Sequence, residues 1–219
     1  FETPDATADD CALAEDYCKQ ALKLAPDDAN VWAVYSELSS RTYGYGYDQT
    51  AARLELARTQ AERALKLAPR STEARFAKAT QLRFMGEAFL GDAEPLLRAL
   101  SVETPEDPRV WITLGKVIWR ANTGMNGIRK DLSRANDALD AFAHAAAIPA
   151  GRAEGLCERG TLLYQLGRFD EAEAATDESV QLAPVIRAVG NKAGLAIRRG
   201  DFAAAQAAVA RLSPEAQQS

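Results

Sequence analysis

One histidine, three cysteines and two methionines in 219 residues leave little material for metal or redox chemistry. His144 alone cannot build a histidine-rich metal site, and no HExxH, CxxC or EF-hand pattern occurs, so neither a metal nor a cofactor is expected. Three cysteines also make no disulfide framework. Cys11 and Cys18 sit seven residues apart on one predicted helix, about 10 Å of rise, which exceeds the Cα separation a disulfide spans. Reduced thiols point to a reducing compartment, so a cytoplasmic location is expected, with the periplasm as the alternative. Long apolar runs are missing too: none approaches the ~18 residues of a membrane span. No signal-like segment opens the chain, and a start at Phe1 suggests processing.

An excess of positive charge is likewise lacking. The net charge is −5, and eight acids against two lysines in residues 1–28 leave about +1 for the rest. No basic footprint of a nucleic-acid binder is present. Catalytic arrangements are no better represented. Gly86-x4-Gly91 is followed by Asp92 where a phosphate-binding loop needs lysine, and Gly44-x-Gly46 follows a predicted helix, not a strand. Glu171 and Glu173 are two apart and face different sides of a helix. With no Ser–His or Cys–His pairing in prospect, the protein is expected not to be an enzyme. His144, in an alanine-rich helix, reads as a structural side chain.

What is abundant is alanine and a repeated ending. ALKLAP closes at Pro26 and again at Pro69, and VQLAP closes at Pro184, with weaker punctuation at Pro105 and Pro149. Proline after an apolar helical run stops the helix, and the next residues start another. The period is 43, 36, 44 and 35 residues, so long and short units alternate. The extra length falls between the two helices of a unit, in RTYGYGYDQT (41–50) and ANTGMNGIRK (121–130). Periodicity predicts helices at about 9–24, 29–41, 50–67, 72–85, 91–102, 108–120, 129–147, 153–165, 168–182, 187–199 and 201–212. The first has no partner before it. A period of this length implies stacked helical hairpins, each burying its apolar face on its neighbours.

The clearest unit is Leu156–Pro184, where Gly160, Leu163, Ala172 and Pro184 fall on a 34-residue spacing. Trp111-x2-Leu114-Gly115-x2-Ile118 and Ala138-x3-Phe142-x2-Ala145 carry the matching first-helix and second-helix patterns. In these residues the chain resembles the tetratricopeptide-repeat family. Glycine or alanine lets the paired helices approach, and the aromatic ring fills the space between turns. The resemblance implies an all-α, right-handed superhelical solenoid of about five hairpins plus one leading helix. One solenoid domain is expected over 9–213, with a flexible acidic segment at 1–8 and a tail at 214–219. Unit two departs from the pattern at Arg75 and Lys78, and the last unit has Gly190 in the tryptophan place. The long units also resemble, more distantly, the repeat arrays of bacterial signalling proteins.

In this family the first helices line a concave groove. Carried over position by position, the groove face is Ala33, Glu37, Ser40, Arg41; Phe76, Thr80, Arg83, Phe84; Ile112, Lys116, Trp119, Arg120; Cys157, Thr161, Tyr164, Gln165; and Asn191, Leu195, Arg198, Arg199. Of these, Arg41, Phe76, Arg83, Phe84, Lys116, Trp119, Arg120, Tyr164 and Arg198 are the expected partner-binding residues. Arginine forks take carboxylates bidentately and aromatic rings anchor apolar side chains, so the groove suits an acidic and apolar protein or peptide segment. The same aromatics are equally suited to packing against the next hairpin. Tyr43, Tyr45 and Tyr47, alternating with glycines, are expected as a mobile lid loop at a groove edge.

Family members that hold chaperone tails use Lys and Asn to clamp a C-terminal carboxylate. The corresponding places here hold Ala33, Glu37, Ala77, Arg109 and Thr113, or Phe76, Thr80, Thr113, Glu154 and Glu158, so that clamp is not expected. The expected function is a non-catalytic interaction module. The alternatives are a ligand-responsive regulatory domain controlling an attached effector, or a structural assembly part. The last helix is apolar on several sides, so weak self-association through the C-terminal hairpin, 187–212, is also expected.

Overall fold

A computed structural model of the chain describes residues 6–123 and 132–212. Most of the expected loop 121–130, the tail 214–219 and most of 1–8 lie outside the described residues. Within them the chain is all helical: α1 (Ala8–Leu24), α2 (Ala29–Gly44), α3 (Ala51–Leu67), α4 (Thr72–Met85), α5 (Leu90–Glu103), α6 (Pro108–Thr123), α7 (Leu132–Ala147), α8 (Arg152–Gln165), α9 (Phe169–Leu182), α10 (Ile186–Arg198) and α11 (Phe202–Val209). No described helix is long and apolar enough to cross a membrane.

The helices begin where local chemistry supplies caps. Thr7 and Asp10 form a capping box on α1, and Asp28, Thr50, Ser71 and Asp201 accept from the first free backbone amides of α2, α3, α4 and α11. The two ALKLAP copies end alike. Ala25 and Ala68 take nearly the same backbone angles, each donating its N–H to the carbonyl four residues back, before proline forbids continuation.

Contacts divide the chain into two compact units. The first comprises Phe1–Pro105 and Lys116–Lys130; the second, Glu106–Gly115 and Asp131–Ser219. In the first unit α2 packs on α3 and on α4, α4 packs on α5, and α1 lies against α2. In the second, α8 packs on α7 and α9, and α10 on α9 and α11. Alanine makes these approaches short: Ala57, Ala61 and Ala64 on α3 and Ala74, Ala77 and Ala79 on α4 are all fully buried. Where helices come this close, serine hydroxyls cross-link them. Ser36 donates to the Ala57 carbonyl and Ser179 to the Ala153 carbonyl, each at 2.8 Å. Gly115 shows why small residues recur, because a Cβ there would lie 2.5 Å from the Phe142 ring.

Two ends differ from expectation. The α2 helix runs on through Tyr43 and Gly44 instead of stopping at 41, because the Phe84 ring fills the space beside Gly44, where a Cβ would overlap it. That packing outweighs the ~1 kcal/mol helix penalty of glycine. The α11 helix stops at Val209, short of 212.

Candidate functional site

In the first unit, burial thins the expected groove. Ala33, Glu37, Ser40 and Thr80 are at most 3% exposed, and Phe76 is among the largest fully buried side chains. Phe76 therefore belongs to the core and corrects the expectation that it meets a partner. A first-helix residue at this position is covered by whatever packs against its face, which its own helix does not reveal. What stays accessible lies in the C-terminal halves of the first helices. Arg41, Arg83, Phe84, Lys116 and Trp119 are half-buried and Arg120 is exposed. The Arg83 guanidinium stacks over Phe84, 4.1 Å from its centroid, while Arg41 approaches Glu37 at 4.0 Å. Phe84 is thus wedged between Gly44 and an arginine, with only part of its ring offered outward.

The tyrosine loop is also corrected. Tyr43 and Gly44 are helical, and Gly46 takes φ +87°, the left-handed turn that carries Tyr47 away from α2. The Tyr47 hydroxyl donates to the Ala6 carbonyl, and the Tyr45 and Tyr47 rings meet edge to face at 6.3 Å. The segment is tied to the start of α1, so it is a staple across the N-terminal end, not a lid over a groove.

Beside it lies an ionic knot. Glu15 accepts from Arg53 at 2.8 Å, Lys19 at 2.9 Å and the Tyr35 hydroxyl at 3.1 Å, while Arg53 also donates to Asp48 at 2.9 Å. Burial opposes the Glu15 charge, but these donors outweigh it and hold the carboxyl below its ordinary range. Burial, reinforced by the Glu15 charge, pushes the Tyr35 phenol well above its own range. Lys78 departs from the family pattern without becoming a site. It donates to Gln81 at 2.9 Å, and burial lowers its ammonium pKa. Arg75, the other departure, forms a two-pronged pair with Glu103.

The second unit gathers a more complete constellation. Tyr164, at the end of α8, and Arg198, at the end of α10, converge on Phe169, the first residue of α9. The Arg198 guanidinium lies 3.7 Å from the Phe169 centroid, and Tyr164 meets the same ring edge to face at 5.7 Å. The exposed Arg198 has no carboxylate partner among the described residues. Its neighbours do: Arg199 pairs with Glu173, Arg187 with Glu158, and Lys192 with Asp177 at 2.7 Å. Asn191 donates to the Thr161 hydroxyl at 2.7 Å, closing the floor between α8 and α10. Sequence reasoning missed Phe169. The available signal was its place immediately after the Gly167–Arg168 turn, where a ring is brought back toward the end of the preceding helix.

His144 is exposed on α7, held by local contacts. Its ring stacks on Trp111 at 4.4 Å, and Nδ1 lies 2.8 Å from the Asp140 carbonyl. Cys11, Cys18 and Cys157 are buried, and none is in a disulfide.

Residues 153–184, covering α8 and α9, match the tetratricopeptide repeat family. Among curated proteins, no sequence matches. Among solved structures, a thermophilic tetratricopeptide-repeat protein of Thermus thermophilus is 25% identical, with 80% of this chain and 86% of that one covered and a TM-score of 0.62. PilF of Pseudomonas aeruginosa is 18% identical over 95% of this chain and 87% of its own, also with a TM-score of 0.62. YrrB, described as a repeat protein with an unusual peptide-binding site, is 16% identical over 92% of both chains, with a TM-score of 0.51.

Proposed function

We propose that this chain, whose residues 153–184 match the tetratricopeptide repeat family and whose fold is that of solved repeat proteins, is a protein–protein interaction module that binds an acidic and apolar protein segment on its first-helix faces. The observation that carries this reading is Arg198, an exposed guanidinium held on the Phe169 ring beside Tyr164, with no carboxylate partner among the described residues. Stacking orients the guanidinium while leaving its N–H edges to donate, so a carboxylate can be taken bidentately at little entropic cost. The neighbouring rings supply the apolar anchor. In the first unit Arg83, Phe84, Trp119 and Arg120 offer the same two chemistries. The role is binding rather than catalysis. YrrB, by its description, has a peptide-binding site, the same class of partner as the segment proposed for this chain.

A screen of random peptides against the intact chain tests it. The enriched sequences should combine Asp or Glu with an aromatic or aliphatic residue. Tyr164→Ala with Arg198→Glu, and separately Trp119→Ala with Arg120→Glu, should each weaken the best peptide by about 2 kcal/mol with the helical circular-dichroism signal intact. Binding unchanged by both double substitutions would refute the proposal.

A further inference from the structure

Two thiols share the buried side of α1. Cys11, Glu15, Cys18 and Leu22 fall at i, i+4, i+7 and i+11, so they lie on one face of the helix. Cys11 and Cys18 pack with Tyr35 and Leu38 of α2, with Ala14 and Leu22 beside them. They are only 6% and 8% exposed. Thiol oxidation needs the thiolate and room for an attacking partner. The seated pair has no such room, and burial, reinforced by the Glu15 charge, pushes the Cys18 thiol up.

The helix also keeps the two sulfurs apart. Seven residues of α-helix separate the Cα atoms by about 10 Å, and a disulfide spans at most about 7 Å. A Cys11–Cys18 disulfide and an intact α1 therefore exclude each other. Unwound, the six residues between them form a loop long enough to bring the sulfurs together. What keeps α1 wound and seated, beyond this apolar strip, is polar and local. Glu15, between the cysteines, accepts from Arg53 of α3 and from the Tyr35 hydroxyl of α2. Ahead of the helix, the Tyr47 hydroxyl donates to the Ala6 carbonyl.

We propose that Cys11 and Cys18 form a redox switch: when α1 opens, a small-molecule disulfide oxidises the pair, and the new Cys11–Cys18 bond holds the helix out of its seat. The chemistry is thiol–disulfide exchange. One cysteine thiolate attacks a sulfur of the small disulfide, forming a mixed disulfide and releasing one small thiolate. The second cysteine thiolate then attacks the protein sulfur of that bond and releases the other. The chain gives up two electrons and two protons, and the small disulfide is reduced to two thiols. Oxidation uncovers Tyr35 and Leu38, an apolar strip of α2 that the reduced chain keeps covered. Cys157 is an internal reference. It is equally buried, but it packs with α9, α10 and α11 and shares nothing with α1.

Incubation of the reduced 219-residue chain with oxidised glutathione at about pH 8 tests this. Peptide mass mapping should find Cys11 joined to Cys18 within one chain, with Cys157 still a thiol. Hydrogen exchange should show α1 unprotected while α4 and α5 keep their protection, and dithiothreitol should restore α1. Tyr47→Phe and Arg53→Met each loosen the seat without touching a cysteine. Each should speed formation of the disulfide at least ~5-fold and leave the reaction of Cys157 unchanged. A Cys11–Cys18 disulfide with α1 still protected would overturn the proposal, as would a pair that stays reduced in both variants. A stable glutathione adduct in place of the cross-link would overturn it too. So would oxidation of Cys157 as fast as the pair, since global unfolding would then be the route.

Discussion

Among single residues, the same residue type has opposite consequences according to what faces it. Gly115 is pressed against the Phe142 ring, and Gly190 faces open space. Gly115→Ala should therefore overpack the α6–α7 contact and destabilise the chain by about 1–3 kcal/mol. Gly190→Ala meets nothing and removes a flexible helical residue, so it should stabilise by about 0.5–1 kcal/mol. Urea denaturation of both variants at low protein concentration checks the pair, and equal effects would contradict the packing described.

Glu15 gives a pH-dependent counterpart. Its carboxyl is depressed in the folded chain, so it binds fewer protons there than when unfolded, and its ion pairs contribute stability above the unfolded carboxylate pKa. That contribution should fade as pH falls through the folded pKa. Glu15→Gln should lower the melting temperature near neutrality, with a loss of about 1–3 kcal/mol for the charged hydrogen bonds. The gap between variant and parent should close as the pH drops below about 4. A gap independent of pH would mean that shape, not charge, makes Glu15 important.

Of the secondary-structure elements, the tyrosine segment after α2 departs furthest from its sequence-based expectation. Alternating tyrosine and glycine reads as a loop too permissive to be structural. Yet Gly44 admits the Phe84 ring, Gly46 supplies the left-handed turn, and Tyr47 reaches the backbone before α1. Tyr47→Phe should therefore speed amide hydrogen exchange in α1 more than in α4 or α5, with a global cost of about 1 kcal/mol. Uniform acceleration across the first unit would argue against a local staple. Helix positions, by contrast, are legible to within a few residues, because Thr7, Asp28, Thr50 and Ser71 cap and the prolines terminate through local chemistry alone.

Over the full chain, stability is distributed hairpin by hairpin, since repeat units pack chiefly on their sequence neighbours. Leu163 is fully buried in the last turn of α8. Leu163→Ala should cost about 2–5 kcal/mol and raise hydrogen exchange first in α8, α9 and α10. Exchange in α2, α3 and α4 should change least. An equal rise everywhere would show one indivisible cooperative block.

The helical class, the hairpin period and the family resemblance are all written in the residue order, because capping, termination and apolar spacing act within a few residues of each other. The places of Tyr164 and Arg198 at the ends of their helices follow from the period as well. Packing between helices had to settle that Phe76 is core, that Arg199 and Arg187 are neutralised by Glu173 and Glu158, and that Arg198 is left to stack on Phe169. Each of those outcomes depends on which side chain the adjoining helix brings opposite, at separations of roughly 3–6 Å that no spacing along one helix can specify.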